Sequence, residues 1–430
     1  MTIRNLYPDI KPTLSLNFAK VKALDPRITF TRASAATYYD ADGVLRFAGN
    51  NQARFDHSLG SGESLGLLME EQRTNRARNP WLVGGTLGII GAGGVLPTHY
   101  SVVGALGGLT IEYIGKVLVN NFPCMRIKIS GTATGAASFA IRGETTTSIL
   151  ASPDQTWTHQ SFYRIFAGSL AGWTNIRSRI DGRTSTGTVV SGNQFFGANI
   201  TSQTALTPYT NTGTLTSDAA VARIQPNWQF DASSGAVIDT TLDVALGFME
   251  LGAFATSPIF PPENTIAQST RLADSAVMTG TNFSSWYRPD EGAVYSEMSL
   301  LGLGPSNRGM WAIGEGTSIS NEFFYYITAA GVPAVARSYL DISQGNSSVS
   351  INLLANTAVK HMFAYAVDDV RSCSQGTLGT SITSHVNPVN VSRLTIGARS
   401  NGSFRSNSHI RKIAYYDQRI TDSQMQALTR

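Results

Sequence analysis

Residues 28–75 read ITFTRASAATYYDADGVLRFAGNNQARFDHSLGSGESLGLLMEEQRTN. Ile28 and Phe30 alternate with Thr29 and Thr31, the period-2 pattern of a half-buried strand. Tyr38-Tyr39 and Val44-Leu45 flank Asp40-Ala41-Asp42-Gly43, where the Asp-Gly pair accepts the positive φ of a tight hairpin. Leu65–Met69 forms a second apolar run that ends in Glu70, Glu71 and Arg73. Carboxylates beside arginines at a strand end need no chemistry, and local ion pairing accounts for them. His57 follows Asp56, which could orient its ring in a structural hydrogen bond.

On the N-terminal side, Pro8 and Pro12 bracket an extended leader that suits docking on another subunit. Leu14, Leu16 and Phe18 then predict one short strand. On the C-terminal side, 76–270 alternates Gly-rich loops with short strands: Leu109–Ile114, Met125–Ser130, Ala137–Ile141, Thr158–Ile165 and Thr174–Ile180. That pattern predicts an antiparallel sandwich or jelly roll. Within it, 155–168 reads as one core strand carrying Trp157, Phe162, Tyr163 and Phe166. Residues 271–286 read as a crossover linker, and 287–430 as a third β unit. Thr421 and Gln424 have capping-box spacing for a short terminal helix.

Three blocks carry a resemblance. TFTRAS-ATYYD-DGVLR, ARFDH and GESLGLLMEEQRTN resemble, in that order, the N-terminal region of tailed-phage head spike, head fibre or tail fibre proteins. GFMELGAFATSPIFP resembles the closing strand of the jelly-roll carbohydrate-binding-like domain of the same proteins, with Pro258 where a tyrosine is expected. Thr270-Arg271 and Thr281–Trp286 match that family's usual crossover. The ending, HIRKIAYYDQRITDSQMQALTR, resembles the last elements of concanavalin A-like, laminin-G-like lectin domains. The implied fold class is all-β: an N-terminal β-hairpin anchor (1–75), a jelly-roll sandwich (76–270), a linker (271–286) and a concanavalin A-like sandwich with a short C-terminal helix (287–430).

The resemblance implies a non-enzymatic virion protein, made in the host cytoplasm and displayed on the particle. Its partners would be capsid, portal, collar or tail proteins through the N-terminal region, itself as a homotrimer, and host-surface polysaccharide. A tail fibre or tail spike acting as the primary receptor-binding protein is the alternative, with cleavage of polysaccharide by carboxylates contributed across a subunit interface as an extension of it. A structural decoration that binds no glycan is a third.

Composition agrees with an all-β virion protein without demanding one. Of 430 residues only 14% are charged, 41 are glycine, and the net charge is +4 with no basic run, so nothing marks a nucleic-acid partner. No apolar run reaches the ~20 residues of a membrane helix. Cys124 and Cys373 fall in different units and read as buried thiols. The six histidines are scattered without metal-ligand spacing, and no cofactor motif occurs. Asp368-Asp369 and Asp417 are hard oxygen ligands in type, yet read as solvated turns. Glu291 and Glu297 lack the third carboxylate of the Glu-x-Asp-x-x-Glu pattern of glucanases on this fold.

Sugar binding has two candidate places. As a strand, 173–183 places Trp173, Asn175, Arg177 and Arg179 on one face, with Ile176 and Ile180 inward. A stacking ring beside planar polar groups is what a pyranose needs. Packing against a neighbouring subunit and plain solvation are the competing readings. Arg399, Asn401, Phe404 and Arg405, in the loop before the last strand, form a second candidate rim. Trp81, Trp157 and Trp286 read as core, and Trp228 as either core or surface.

Overall fold

The computed structural model describes residues 11–430. The expectation for Pro8 lies outside them. The described chain is almost entirely antiparallel β, and its last residues form a short helix. It divides into two compact units. One, the split unit, contains the described residues up to Gln72 together with Leu272–Arg430; the other, the inserted unit, is Arg73–Arg271.

This division corrects the expected order of an N-terminal anchor, a linker and a separate terminal domain. Leu14–Asn17 and Ser64–Met69 both pair with the last strand, Ser408–Tyr416, and Thr29–Thr31 pairs with Ser275–Thr279 inside the stretch read as linker. The N-terminal segment is too short to cover its own apolar face, so it completes the sheets of the C-terminal one. One sheet of the split unit has Glu291–Leu300 and Ser408–Tyr416 at its centre, and the other has Arg393–Ile396 and Arg308–Gly314. Trp311, Tyr325, Phe363, Tyr365 and Tyr415 fill the space between them. The helix Asp422–Thr429 packs against the outer side of the first sheet, on Val359–Ala366 and Asp369–Ser374. Its cap is the one its sequence predicts: the Gln424 side-chain carbonyl accepts from the Thr421 N–H at 3.1 Å.

The quoted stretch supplies charge as well as strands. Arg32, Arg54, Glu70 and Asp274 have fully buried side chains. Asp274 takes Arg32 Nη1 at 3.0 Å and Arg54 Nη2 at 2.6 Å, while Arg54 Nη1 reaches Glu70 at 2.6 Å. Main-chain carbonyls of Ser34, Gly49, Gln52 and Thr37 accept further guanidinium N–H groups. Such a lattice is tolerated in a low-dielectric interior because each charge is paired and hydrogen-bonded. Glu71 pairs with Arg308 at 2.7 Å. One local expectation needs correction. Asp56 accepts from the Tyr39 N–H and faces His409 Nε2 at 2.9 Å, whereas His57 Nδ1 meets the Tyr39 carbonyl. The hairpin forms as read, with Ala36–Tyr39 paired to Leu45–Ala48 and Gly43 at φ 69°.

The inserted unit is a second two-sheet sandwich. One sheet runs Thr207–Thr214, Thr156–Gly168, Val237–Leu251, Phe122–Thr132, Thr110–Val119, Gly88–Ile89. The other runs Val189–Phe196, Trp173–Arg183, Arg223–Ala232, Ala137–Gly143, Tyr100–Ala105. Ile127, Ile129, Phe139, Ile141, Tyr163, Trp228 and Phe230 belong to the core between them. Trp228 is therefore core, its Nε1 donating to Ser161 Oγ. In 156–168 the register shifts after Gln160 and again after Ile165. Tyr163 and Ile165 face the core, so alternation puts Phe166 outward, half-exposed beneath the Arg126 guanidinium, where the reading of 155–168 as one core strand places it inside.

Candidate functional site

The outer face of the inserted unit's second sheet is polar. On Arg223–Ala232, Trp228 and Phe230 point into the core, so Asn227, Gln229 and Asp231 share the other face. Register then sets neighbours across strands. Asn227 stands between Arg179 and Arg142, Gln229 between Arg177 and Ala140, and Asp231 between Asn175 and Ser138. Phe196 and Gln194 flank Arg179 and Asp181 on the next strand. The result is an open groove of about 360 Å³ whose lining includes Arg142, Arg177, Arg179, Gln194, Phe196 and Gln229. Gly104 also lines it, on the far strand. Its φ is +107° and a Cβ there would stand 2.5 Å from the Ser138 carbonyl oxygen, so only glycine lets these strands approach.

The polar groups are largely tied to one another. Asp181, fully buried, pairs with Arg179 Nε at 2.8 Å and Arg183 Nη2 at 2.7 Å, and accepts from Asn227 and Gln194. Asp231 accepts only from neutral donors: Ser138 Oγ at 2.9 Å, Gln229 Nε2 at 2.7 Å and Asn175 Nδ2 at 3.1 Å. Arg142 and Arg177 differ from Arg179 and Arg183 of the same face. Neither side chain hydrogen-bonds any described residue, and the Nε of each is shielded from solvent. Arg177 stacks its guanidinium 4.4 Å from the ring centre of Phe196, which is 45% exposed. Burial, and then the like charge of Arg183, push the Arg142 guanidinium below its ordinary range.

Of the first set of expected site residues, Asn175, Arg177 and Arg179 do share this face. Trp173 does not. A bulge between Trp173 and Asn175 shifts the register by one residue and turns the indole toward Phe139 and Phe230 at the core's edge. Its Nε1 donates to Thr240 Oγ1 at 2.9 Å. Arg142, Gln194, Phe196, Gln229 and Asp231 were missed. The alternation in QPNWQFDA marks Asn227, Gln229 and Asp231 as outward, but which strands lie beside it is not written locally.

The second expected rim is not assembled in the split unit. Arg399 pairs with the buried Glu322, whose other oxygen accepts from Ser400 Oγ. Arg405 donates to the Asp274 carbonyl at 2.6 Å, and Asn401 accepts from its neighbour Ser403. Phe404, at φ 47° and partly exposed, rests near Phe324. The loop is fastened by the groups expected to face a ligand. A more apolar hollow of about 520 Å³ lies elsewhere in this unit, lined in part by Tyr287, Val367, Val386 and Val389.

Glu291 and Glu297 lie six residues apart on one strand, which places them about 20 Å apart at strand rise, beyond any paired-carboxylate spacing. Each faces an arginine, Glu291 with Arg288 and Glu297 with Arg411. Asp368 accepts from the His385 N–H and Asp369 pairs with Arg419. Among the described residues no group of three or more His, Cys, Asp or Glu side chains is placed to hold a metal ion. Cys124 and Cys373 are both buried and free, one in each unit. No helix among the described residues is long and apolar enough to cross a membrane.

No protein-family model matches the chain, and no curated protein sequence matches it. Solved structures similar to it include the CBM40 of Ruminococcus gnavus IT-sialidase bound to α2,3 sialyllactose, with a TM-score of 0.31 and 13% identity over 34% of this chain and 86% of that one. The NanB sialidase of Streptococcus pneumoniae has a TM-score of 0.31 and 13% identity over 36% of this chain and 26% of that one. A SAP-like pentraxin from Limulus polyphemus has a TM-score of 0.25 and 10% identity over 33% and 70%. Likenesses of this size carry no argument about ligand or activity.

Proposed function

We propose that the chain is a non-enzymatic virion protein of a tailed phage, a head spike or fibre that contacts host-surface polysaccharide through the outer face of its inserted sandwich. The observation that carries the glycan reading is the groove itself, where amides, guanidinium groups and one exposed phenyl ring meet across adjacent strands. Planar polar side chains with an apolar ring are suited to hydroxyls and to the CH face of a sugar. The virion reading rests on the resemblance of the N-terminal blocks, whose Arg32, Arg54 and Glu70 join the buried ion lattice of the split unit. Attachment to other virion proteins is assigned to that unit. Several copies, as in a homotrimer, would raise a weak single-site affinity by avidity.

The test is binding of the purified full chain to polysaccharide extracted from candidate hosts, with light scattering to count copies. Retention on at least one polysaccharide, lost in the double variant N175A/R177A, is the expected result. Retention unchanged in that variant removes the groove from the reading. Antibody labelling of intact particles locates the chain: label on the head supports the spike, label on the tail replaces it with a receptor-binding fibre, and no label removes the virion assignment.

A further inference from the structure

The acids and bases of the groove do not balance, and the imbalance has a definite place. Five arginines of the outer face, Arg142, Arg177, Arg179, Arg183 and Arg223, stand among two aspartates, and Arg223 donates to the Ala222 carbonyl. Asp181 is occupied by Arg179 and Arg183, and Asp231 by a serine, an asparagine and a glutamine. That leaves Arg142 and Arg177 on either side of the strand Arg223–Ala232, each with a guanidinium that meets no acceptor. A guanidinium stays charged in a protein, and a shielded N–H without an acceptor is costly to keep. Nothing in the unit supplies the missing acceptor, and a neutral sugar offers only hydroxyls in its place.

We propose that the groove takes a glycan bearing an anionic substituent, a carboxylate or a sulfate, held by Arg142 and Arg177. This rests on the glycan reading of the same face and names the class of sugar. Both substituents present a pair of oxygens spaced to accept two parallel N–H bonds from a guanidinium fork. The stacking of Arg177 on Phe196 holds the plane of one fork in advance of binding. A nucleic acid fits less well. Asp231 lies in the row beyond Arg177 and Asp181 in the row beyond Arg179, so carboxylates bracket the two free cations. Those carboxylates confine the positive field to the two guanidinium groups, whereas a nucleic acid is bound along a continuous basic surface.

The experiment uses the full chain and immobilised polygalacturonate, alginate, a sialic acid polymer and dextran sulfate, each beside its carboxyl-reduced or desulfated counterpart. The wild type is expected to bind at least one acidic member about tenfold or more tightly than its neutral counterpart, the worth of a charge-assisted hydrogen bond. R142Q and R177Q should each lose most of that preference. R142K should keep part of it, and R46Q, in the other unit, should keep all of it. Thermal unfolding of each variant guards against misfolding. Equal binding to acidic and neutral partners overturns the charge assignment while leaving the glycan reading intact. Binding to nothing on the panel or among host polysaccharides sinks both. Competition by oligo-dT at the same concentration as acidic glycan overturns the glycan class. A preference for the carboxylates or for the sulfate identifies the anion.

Discussion

Arg54, just before the strand Phe55–His57, and Arg177, within Trp173–Arg183, have opposite surroundings. Arg54 is fully buried, with Glu70 on one nitrogen and Asp274 on another. Arg177 borders an open groove, lies over Phe196, and meets no acceptor among the described residues. The acids that serve Arg54 come from a neighbouring strand end and from a segment 220 residues away. The acids near Arg177 are already engaged by other donors. Side-chain type therefore says little about role; what decides is whether the fold delivers a counter-charge. The first arginine holds the fold together, and the second is given no counter-charge by the fold.

The comparison is broken most directly by truncating each arginine. R54A leaves Glu70 and half of Asp274 uncompensated in the interior, and should destabilise the split unit by about 3–5 kcal/mol in chemical denaturation. R177A should change the inserted unit by no more than about 0.5 kcal/mol. Comparable losses in both would show that Arg177 is also structural. Fluorescence can follow the two units through their core tryptophans, Trp286 and Trp311 in the split unit and Trp228 in the inserted one.

Acid sharpens the contrast in a second way. His361, stacked 4.0 Å from Tyr325 in the split unit, is pushed down to about 3 by burial. His159, between Ser178 Oγ and the Leu246 carbonyl in the inserted unit, is pushed down to about 4 by burial. Below about pH 6.5 the unfolded chain takes up protons that these folded sites refuse, so stability falls with pH and goes on falling toward pH 4. Each histidine should account for roughly 2–3 kcal/mol of that loss. H361Q and H159Q should each flatten the acid limb of their own unit only. An unchanged limb would show the rings to be protonated in the fold.

The next effect is smaller. W173F removes the hydrogen bond to Thr240 and should cost about 1 kcal/mol with no change in glycan affinity, because the indole lies at the core's edge. Lost affinity at full stability would restore Trp173 to the binding face. Smallest of all, E291Q/E297Q should shift stability by less than about 1 kcal/mol, since both partners are partly exposed ion pairs, and should leave any polysaccharide uncut as before. Cleavage by the wild type that this double variant abolishes would make the chain an enzyme.

What could be read in advance was local. The Asp42-Gly43 hairpin, the capping box at Thr421 and Gln424, and the shared face of Asn175, Arg177 and Arg179 each depend on neighbours a few residues away. One extra residue at the bulge after Trp173 was enough to break the same alternation, because polarity does not show where a register slips. Arg142 joins Arg177 only through an intervening strand, and Arg399 is answered by Glu322, 77 residues earlier. The split of the first unit was hidden for the same reason: strands that complete one sheet lie at opposite ends of the chain.

That split bears on how the protein is made. The inserted unit begins and ends in a short paired stem, Arg73–Asn75 against Ser269–Arg271. Holding together the ends of a loop of about 200 residues would cost an open chain on the order of 5 kcal/mol in entropy. During synthesis Leu14–Asn17 and one edge of Ser64–Met69 emerge early and find their partner only once Ser408–Tyr416 has been translated. An insert that folds and zips its stem in the interval turns a distant meeting into a near one. On this view the middle of the chain acts as a folding clasp for its two ends, and slowing its folding would expose Leu14–Asn17 and Ser64–Met69 as open edges to other chains.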